Sequence, residues 1–321
     1  MLTQKKLSAV ICCYRDEGNI PAMYERLTAM FSDVTPNYEI IFVNDCSPDA
    51  AEDVLRAIAA KDSRVTVILQ ARNFGAQAAF TAGMVQSTGD AVILLDGDLQ
   101  DPPELIPEFV KKWNEGFDVV YGVRRRREKS LGRLSQWLYH MFYVCFRKLS
   151  YVKMPTDAGE FSLMDRKAVD HINALPERDR LIRGLRAWVG FRQTGVPYVR
   201  PERFWGTSTN SLWRNFRWAR KAIFSFSYAP LEWVSTIATL TMLFSIVGML
   251  FYIVTFFFYP NIPRGITTVF VLVLFLGSVQ LLSISIIAEY VGRIFEETKQ
   301  RPRYITREIL NDHRVSDATR E

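Results

Sequence analysis

Four short apolar runs rich in β-branched residues, 7–13, 39–43, 65–69 and 91–95, stand in the first third of the chain. Segments with helical periodicity at 20–31, 50–60 and 76–87 separate them, and another at 105–115 follows the fourth. A mostly apolar run without alternation buries both faces of its strand, and a parallel neighbour can be reached only through a crossover segment. The alternation therefore predicts an α/β domain, a mostly parallel sheet with helices on both faces.

Further along, Leu134, Leu138, Met141, Phe142, Cys145 and Leu149 recur at helical spacing behind the basic run 124–127. They predict a basic amphipathic helix, read first as core-facing. A second such segment, 212–226, interleaves Trp213, Phe216 and Trp218 with Arg214, Arg217, Arg220 and Lys221, a mixture suited to the headgroup layer of a bilayer. Residues 233–263 and 265–288 contain no charge, and each exceeds the roughly 20 residues needed to cross a hydrocarbon core. Two transmembrane helices are predicted; a soluble helical hairpin would carry a polar stripe, and these segments have none. Basic residues lie outside both ends, Arg214 to Lys221 before and Arg293, Lys299, Arg301 and Arg303 after, whereas the connector has only Arg264. Both termini and the α/β domain are thus expected on the cytoplasmic side of a plasma (inner) membrane. The expected division is an α/β domain over 1–210, an interface helix over 211–231, two spans over 232–290 and a tail over 291–321.

Composition adjusts this picture little. The 49% hydrophobic content of the 321 residues averages a charged domain with an apolar anchor, and the net charge of +6 resides beside aromatic stretches. Anionic lipid, and not nucleic acid, is the expected partner of that charge. Cys12, Cys13, Cys46 and Cys145 show neither metal-ligand spacing nor the density of a disulfide framework, which points to a reducing compartment. Residues 1–6 are short and polar, so no secretory signal is expected ahead of the first strand.

Candidate chemistry gathers where the predicted strands end, the edge at which open α/β sheets place ligands. Asp96 and Asp98 flank Gly97 directly after the fourth strand. Acids one residue apart on extended chain share a direction, with Gly97 supplying freedom. Their charge calls for a hard cation, Mg²⁺ or Mn²⁺, completed by a substrate diphosphate. A solvated turn could use the same residues; the buried strand before them and Leu99-Gln100-Asp101-Pro102-Pro103 after them favour the cation. Asn44 and Asp45 end the second strand, and Asp16, Glu17 and Gly18 follow the first. Such acceptors suit a uracil N–H and ribose hydroxyls, although Asp45 before Ser47-Pro48-Asp49 equally fits a helix-capping turn. Arg72 adds a cation for phosphate on the same edge. Arg124 and Arg125 are candidates for a lipid phosphate because they adjoin the predicted interface elements, a solvated basic face being the alternative.

Tyr14-Arg15-Asp16-Glu17-Gly18-Asn19-Ile20, Ile41-Phe42-Val43-Asn44-Asp45-Cys46-Ser47, Arg72-Asn73-Phe74-Gly75 and Asp96-Gly97-Asp98-Leu99-Gln100-Asp101-Pro102-Pro103 resemble, in order and spacing, the motifs of family 2 inverting glycosyltransferases of GT-A fold. Within that family the chain is similar to the polyprenyl-phosphate glycosyltransferases, and residues 184–197 and the two apolar spans look most like the bactoprenol branch. The resemblance implies donor-nucleotide contacts from Tyr14, Glu17, Asp45, Arg72, Asp96, Gly97 and Gln100, and a metal on Asp96 and Asp98. It implies catalytic roles for Asp98 and for Asp157, which matches the acceptor-loop acid and would serve as base or orient the sugar. It also implies phosphate binding by Arg203; the family's basic-aromatic stretch after that arginine reads here as Thr207-Ser208-Thr209-Asn210. Other departures are Cys13 for the usual proline, Asn44 for the usual acid and Cys46 where glycine is common.

The reaction so implied is metal-dependent, inverting transfer of a hexose from a nucleotide sugar to polyprenyl phosphate, with UDP-glucose preferred over GDP-mannose. An acceptor phosphate is largely ionised at neutral pH and needs little deprotonation, whereas the departing diphosphate needs its charge offset. A processive polysaccharide synthase would need Gln-x-x-Arg-Trp, and Arg214 occupies the Gln position before Arg217-Trp218. A dinucleotide-dependent reductase would need Gly-x-Gly-x-x-Gly after the first strand. A non-catalytic nucleotide-sugar-binding subunit is the rival from another class. Two spans make a thin anchor, so a homo-oligomer, up to a tetramer, is expected.

Overall fold

The computed structural model describes residues 1–124, 152, 155, 158–201, 227, 229–258 and 265–314. The amphipathic segments 134–149 and 212–226 and the site candidates Arg125, Asp157 and Arg203 lie outside the described residues. Those described form two compact units, one holding the chain up to residue 201 and residues 301–314, the other residues 227–300.

In the first unit, β1 (Leu7–Cys13), α1 (Ile20–Val34), β2 (Tyr38–Asn44), α2 (Ala51–Lys61), β3 (Val65–Gln70), α3 (Ala76–Gln86) and β4 (Ala91–Asp96) alternate as the hydrophobic pattern predicts. After α4 (Ile106–Asn114), the sequence pattern had shown no strands, yet β5 (Val119–Arg124), β6 (Ala158–Asp165), β7 (Gln193–Tyr198) and β8 (Thr306–Leu310) all join the sheet, with α5 (Arg166–Ala174) and α6 (Ile182–Trp188) between β6 and β7. The order is β7-β5-β6-β4-β1-β2-β3-β8. Strands β4, β1, β2 and β3 run parallel, β6 and β8 are antiparallel to their neighbours, and β7 is parallel to β5.

Burial explains why the first four strands were legible and the rest were not. Strands β1, β2 and β3 are buried at every position, so apolar residues fill both faces of each and the few polar ones, such as Ser8 and Glu39, are buried and hydrogen-bonded. The edge strands are mixed. β7 carries Pro197, tolerated on an edge because no ladder bond is lost. β8, Thr-Arg-Glu-Ile-Leu, directs Arg307 to Glu52 at 2.5 Å and Glu308 to Arg56. Charges of this kind also guard an exposed edge against further strand addition. The segment read as a carboxyl-terminal tail thus returns to the sheet, and Asn311 Nδ2 secures it by donating to the carbonyls of Ala59 and Val65, at 2.8 and 3.0 Å.

Helix α1 buries Met23, Leu27 and Phe31, a four-residue spacing that lays one stripe on the sheet; Phe31 stacks on Tyr38 at 4.7 Å. Helix α4 does the same with Ile106, Phe109, Val110 and Trp113. Helix α3 is buried around most of its circumference, and a Cβ on Gly83 would overlap Val10 Cγ1 of β1. That glycine sets how closely helix and sheet approach.

The second unit contains α7 (Ala229–Phe258) and α8 (Ile266–Thr298), with stretches 229–248 and 272–298 long and apolar enough to cross a membrane. Large side chains such as Leu240, Phe244, Leu274 and Leu281 are 61–70% exposed. An apolar surface of that extent is suited to lipid and unsuited to water.

Candidate active site

The parallel strands end level with one another: Cys12 of β1 faces Asp96 of β4, and Cys13 faces Asn44 of β2. Because β2 and β4 leave β1 on opposite sides, the loops after all three rise from one crevice at the sheet's carboxyl edge. Gly97 N donates to Cys12 O at 3.0 Å, and Asp45 N to Cys13 O at 3.1 Å. Gly97 is needed for closeness more than for freedom, since a Cβ there would lie 2.7 Å from Cys12 O and 3.0 Å from Asp16 Oδ2. Arg15, Cys46 and Leu99, one in each loop, adopt φ of 61°, 52° and 57°. The left-handed geometry at Cys46 explains why glycine suits that position; a Cβ there costs roughly 1–2 kcal/mol.

Of the candidates for the donor nucleotide, several are engaged in holding the loops. Asp16 Oδ2 accepts Tyr14 N at 3.0 Å and its Oδ1 accepts Asn19 Nδ2 at 3.0 Å. Glu17 Oε2 accepts Ala50 N at 2.7 Å at the start of α2, while Glu17 N donates to Asp49 Oδ2 at 3.1 Å. The capping role considered for Asp45 falls instead to Glu17 and Asp49. Asp45 is 1% exposed and braces the third motif loop: Phe74 N donates to Oδ1 at 2.7 Å and Gly75 N to Oδ2 at 2.8 Å. Burial raises its pKa despite these donors and the Arg72 charge. Arg72 is exposed with its guanidinium 4.2 Å over the Phe74 ring, and Tyr14 is exposed beside Arg15.

The structure brings Asp96 and Asp98 together with two acids that sequence reading did not assign. Asp101 is fully buried, and Glu160 on β6 accepts Gln77 Nε2 at 3.1 Å. Burial, then the charges of Asp101, Asp98 and Glu160, push the Asp96 carboxyl up to about 8, with Arg124 pulling the other way. Arg124 Nη2 lies 3.9 Å from Asp101 Oδ1, and Arg200 Nη2 lies 3.8 Å from Asp98 Oδ2. Tyr198 donates its hydroxyl to Asp101 Oδ1 at 2.6 Å. Gln100 N donates to Asp98 Oδ1 at 3.1 Å, and its side chain reaches Pro201 O at 3.3 Å. Four carboxyl groups thus meet the guanidiniums of Arg124 and Arg200 and, beside Glu160, that of the buried Arg186; the crowding that holds a proton on Asp96 is relieved by a divalent cation on these hard oxygen donors. Among the described residues no three acidic, histidine or cysteine side chains form a ready cage; a cation on Asp96 and Asp98 would draw its other ligands from phosphate and water.

Asp101 stands in the run that begins at Asp96, and its residue type and position there carry no signal of its own. Glu160, Tyr198 and Arg200 reach this edge only because β6 and β7 fold back beside β4 and β5, a long-range pairing that local pattern does not contain.

Residues 8–172 match the model of glycosyl transferase family 2. An uncharacterized glycosyltransferase of Synechocystis sp. is 40% identical over 95% of this chain and 95% of its own. The bactoprenol glucosyl transferase of Shigella phage SfX is 39% identical over 94% of this chain and 98% of its own, and the prophage bactoprenol glucosyl transferase homolog of Escherichia coli is 36% identical over 95% and 99%. The likeness takes in the acid-bearing sheet edge and both apolar helices alike, and on that footing the chain belongs to the family 2 glycosyltransferases.

Proposed function

We propose that the protein transfers a hexose, with glucose from UDP-glucose preferred, onto polyprenyl phosphate at the cytoplasmic face of a membrane. The observation that carries this reading is the meeting of Asp96, Asp98, Arg124 and Arg200 at the carboxyl edge of β4, in a chain whose relatives include proteins named bactoprenol glucosyl transferase. The nucleoside would lie over the β1 and β2 loops, with exposed Tyr14 offering a face for the base and Arg72 a charge for the diphosphate. Asp96 and Asp98 would hold Mg²⁺ or Mn²⁺, which when bound offsets charge on the departing nucleoside diphosphate. Arg200, beside Asp98, adds cationic charge on the same side.

Arg124 is assigned to the acceptor phosphate, together with Arg125 and Arg203. The acceptor oxygen attacks the anomeric carbon in line, the bond to the diphosphate breaks, and configuration inverts without a covalent enzyme intermediate. Asp157 takes any remaining phosphate proton or orients the sugar. Helices α7 and α8 anchor the chain as two spans, both termini on the cytoplasmic side, and self-association enlarges the anchor.

The test is transfer of radiolabelled sugar from UDP-glucose, and separately GDP-mannose, to undecaprenyl phosphate by the full-length protein. Glucose transfer that disappears with EDTA and returns with Mg²⁺ or Mn²⁺ is expected, with a loss of at least about 100-fold in Asp96→Asn and Asp98→Asn. Undiminished transfer after chelation, or by the double variant, sinks the metal-assisted mechanism; donor binding without transfer leaves a binding subunit.

A further inference from the structure

The Arg124 guanidinium is located by three features that the reaction scheme does not use. Its Nε donates to the Tyr198 hydroxyl oxygen at 3.3 Å. That hydroxyl in turn donates to Asp101 Oδ1 at 2.6 Å, and Arg124 Nη2 stands 3.9 Å from the same oxygen. Beneath the guanidinium lies Gly159 of β6, where a Cβ would come within 2.6 Å of Arg124 Nη2 and 3.2 Å of Cζ. Asp101 is fully buried, Tyr198 is 6% exposed, and the Tyr198 ring is edge-on to Phe161 at 5.8 Å. The carboxylate and hydroxyl are therefore fixed by packing, while Arg124 keeps part of its side chain, 34%, open to solvent.

We propose that Asp101, Tyr198 and Gly159 form a positioning device that pre-sets the Arg124 guanidinium as an anchor for a substrate phosphate. A flexible arginine loses rotamer freedom on gripping an oxyanion, and holding it in place beforehand removes that cost from binding. Charge is consistent with the arrangement: burial alone would make Arg124 less basic, but its neighbours, Asp101 first, outweigh it. Among the described residues Asp101 Oδ2 has no hydrogen-bond partner, whereas Oδ1 is shared by Tyr198 and Arg124, so the device is organised around Oδ1. The inference rests on the reading of Arg124 as a phosphate ligand, and the chemistry recognised, a phosphate oxyanion, belongs to both the acceptor monoester and the donor diphosphate.

Steady-state kinetics of the full-length protein tests it, with acceptor and donor varied separately. Tyr198→Phe removes one hydroxyl and keeps the ring. Gly159→Ala displaces only the end of a flexible side chain, so folding survives while the guanidinium moves. Each is expected to raise the acceptor KM about five- to tenfold, the equivalent of one hydrogen bond of about 1–1.5 kcal/mol, with kcat and the donor KM within about twofold. In an Arg124→Ala background the same changes should add less than twofold, because a residue acting through Arg124 has nothing left to position. A rise in the donor KM instead, again abolished by Arg124→Ala, upholds the device and moves the anchored phosphate to the donor. If Arg124→Ala is costly but Tyr198→Phe and Gly159→Ala are silent, or keep their full effect without Arg124, the positioning proposal is overturned and the phosphate reading stands. If Arg124→Ala leaves both KM values unchanged, both fall.

Discussion

Asp45 separates a residue that binds substrate from one that builds the loop which does. Its two carboxylate oxygens receive Phe74 N and Gly75 N at 2.7 and 2.8 Å while the side chain is 1% exposed. A hydrogen bond to a charged group contributes roughly 1.5–3 kcal/mol, so two amount to about 3–6 kcal/mol before the cost of burying the carboxylate, the same burial that raises its pKa. A net loss of about 2–4 kcal/mol is expected for Asp45→Ala, which leaves two N–H groups without partners. Asp45→Asn should fare little better, because turning its carbonyl to one N–H points its NH₂ at the other. For a domain of this size about 2–4 °C of Tm accompanies each kcal/mol, so thermal unfolding without ligand should shift down by about 4–16 °C in both variants. The assay is intrinsic fluorescence on heating in detergent, followed by UDP titration of the folded fraction. Unfolding temperatures within 1 °C of the parent, with a tenfold loss of UDP affinity, would refute the brace and leave Asp45 a ligand contact alone.

Glu39 supplies an acid-sensitive part of the stability. It is 2% exposed and accepts Ser8 Oγ at 2.6 Å and Thr88 N at 2.7 Å, with Lys6 Nζ at 2.9 Å. Burial would raise its pKa, but these partners prevail and lower it below 4.5. Its contribution is therefore present above the unfolded value and lost as pH falls through the folded one; the Tm gap between the parent and Glu39→Gln should be widest above about pH 5 and close towards pH 3, and a pH-independent gap would contradict the assignment. Gly83→Ala should lower Tm by a few degrees, since overpacking against the stiff Val10 costs about 1–3 kcal/mol and exceeds the roughly 1 kcal/mol gained in helix propensity. In a double-mutant cycle the cost of Gly83→Ala should shrink in a Val10→Ala background, and an undiminished cost there would refute the contact as its cause.

Elements whose surroundings are uniform are written along the chain in a form that can be read locally. Strands buried on both faces are apolar at most positions on either side, a helix on a sheet repeats its apolar residues every three to four positions, and a segment suited to lipid lacks charge over most of its length. For that reason β1 to β4, their helices and both long apolar helices were legible, and so were Asp96 and Asp98, whose meaning comes from standing directly after a buried strand. The remaining elements and contacts arise from packing between distant stretches. Strands β5 to β8 are mixed or lie on edges, and only pairing gives them their place. Glu17 and Asp45 read as ligand acids, yet their hydrogen bonds go to backbone N–H groups 33, 29 and 30 residues away. Tyr198 meets Asp101 across 97 residues. Such contacts depend on which strands lie side by side, and residue type and spacing along one stretch of chain contain no record of that.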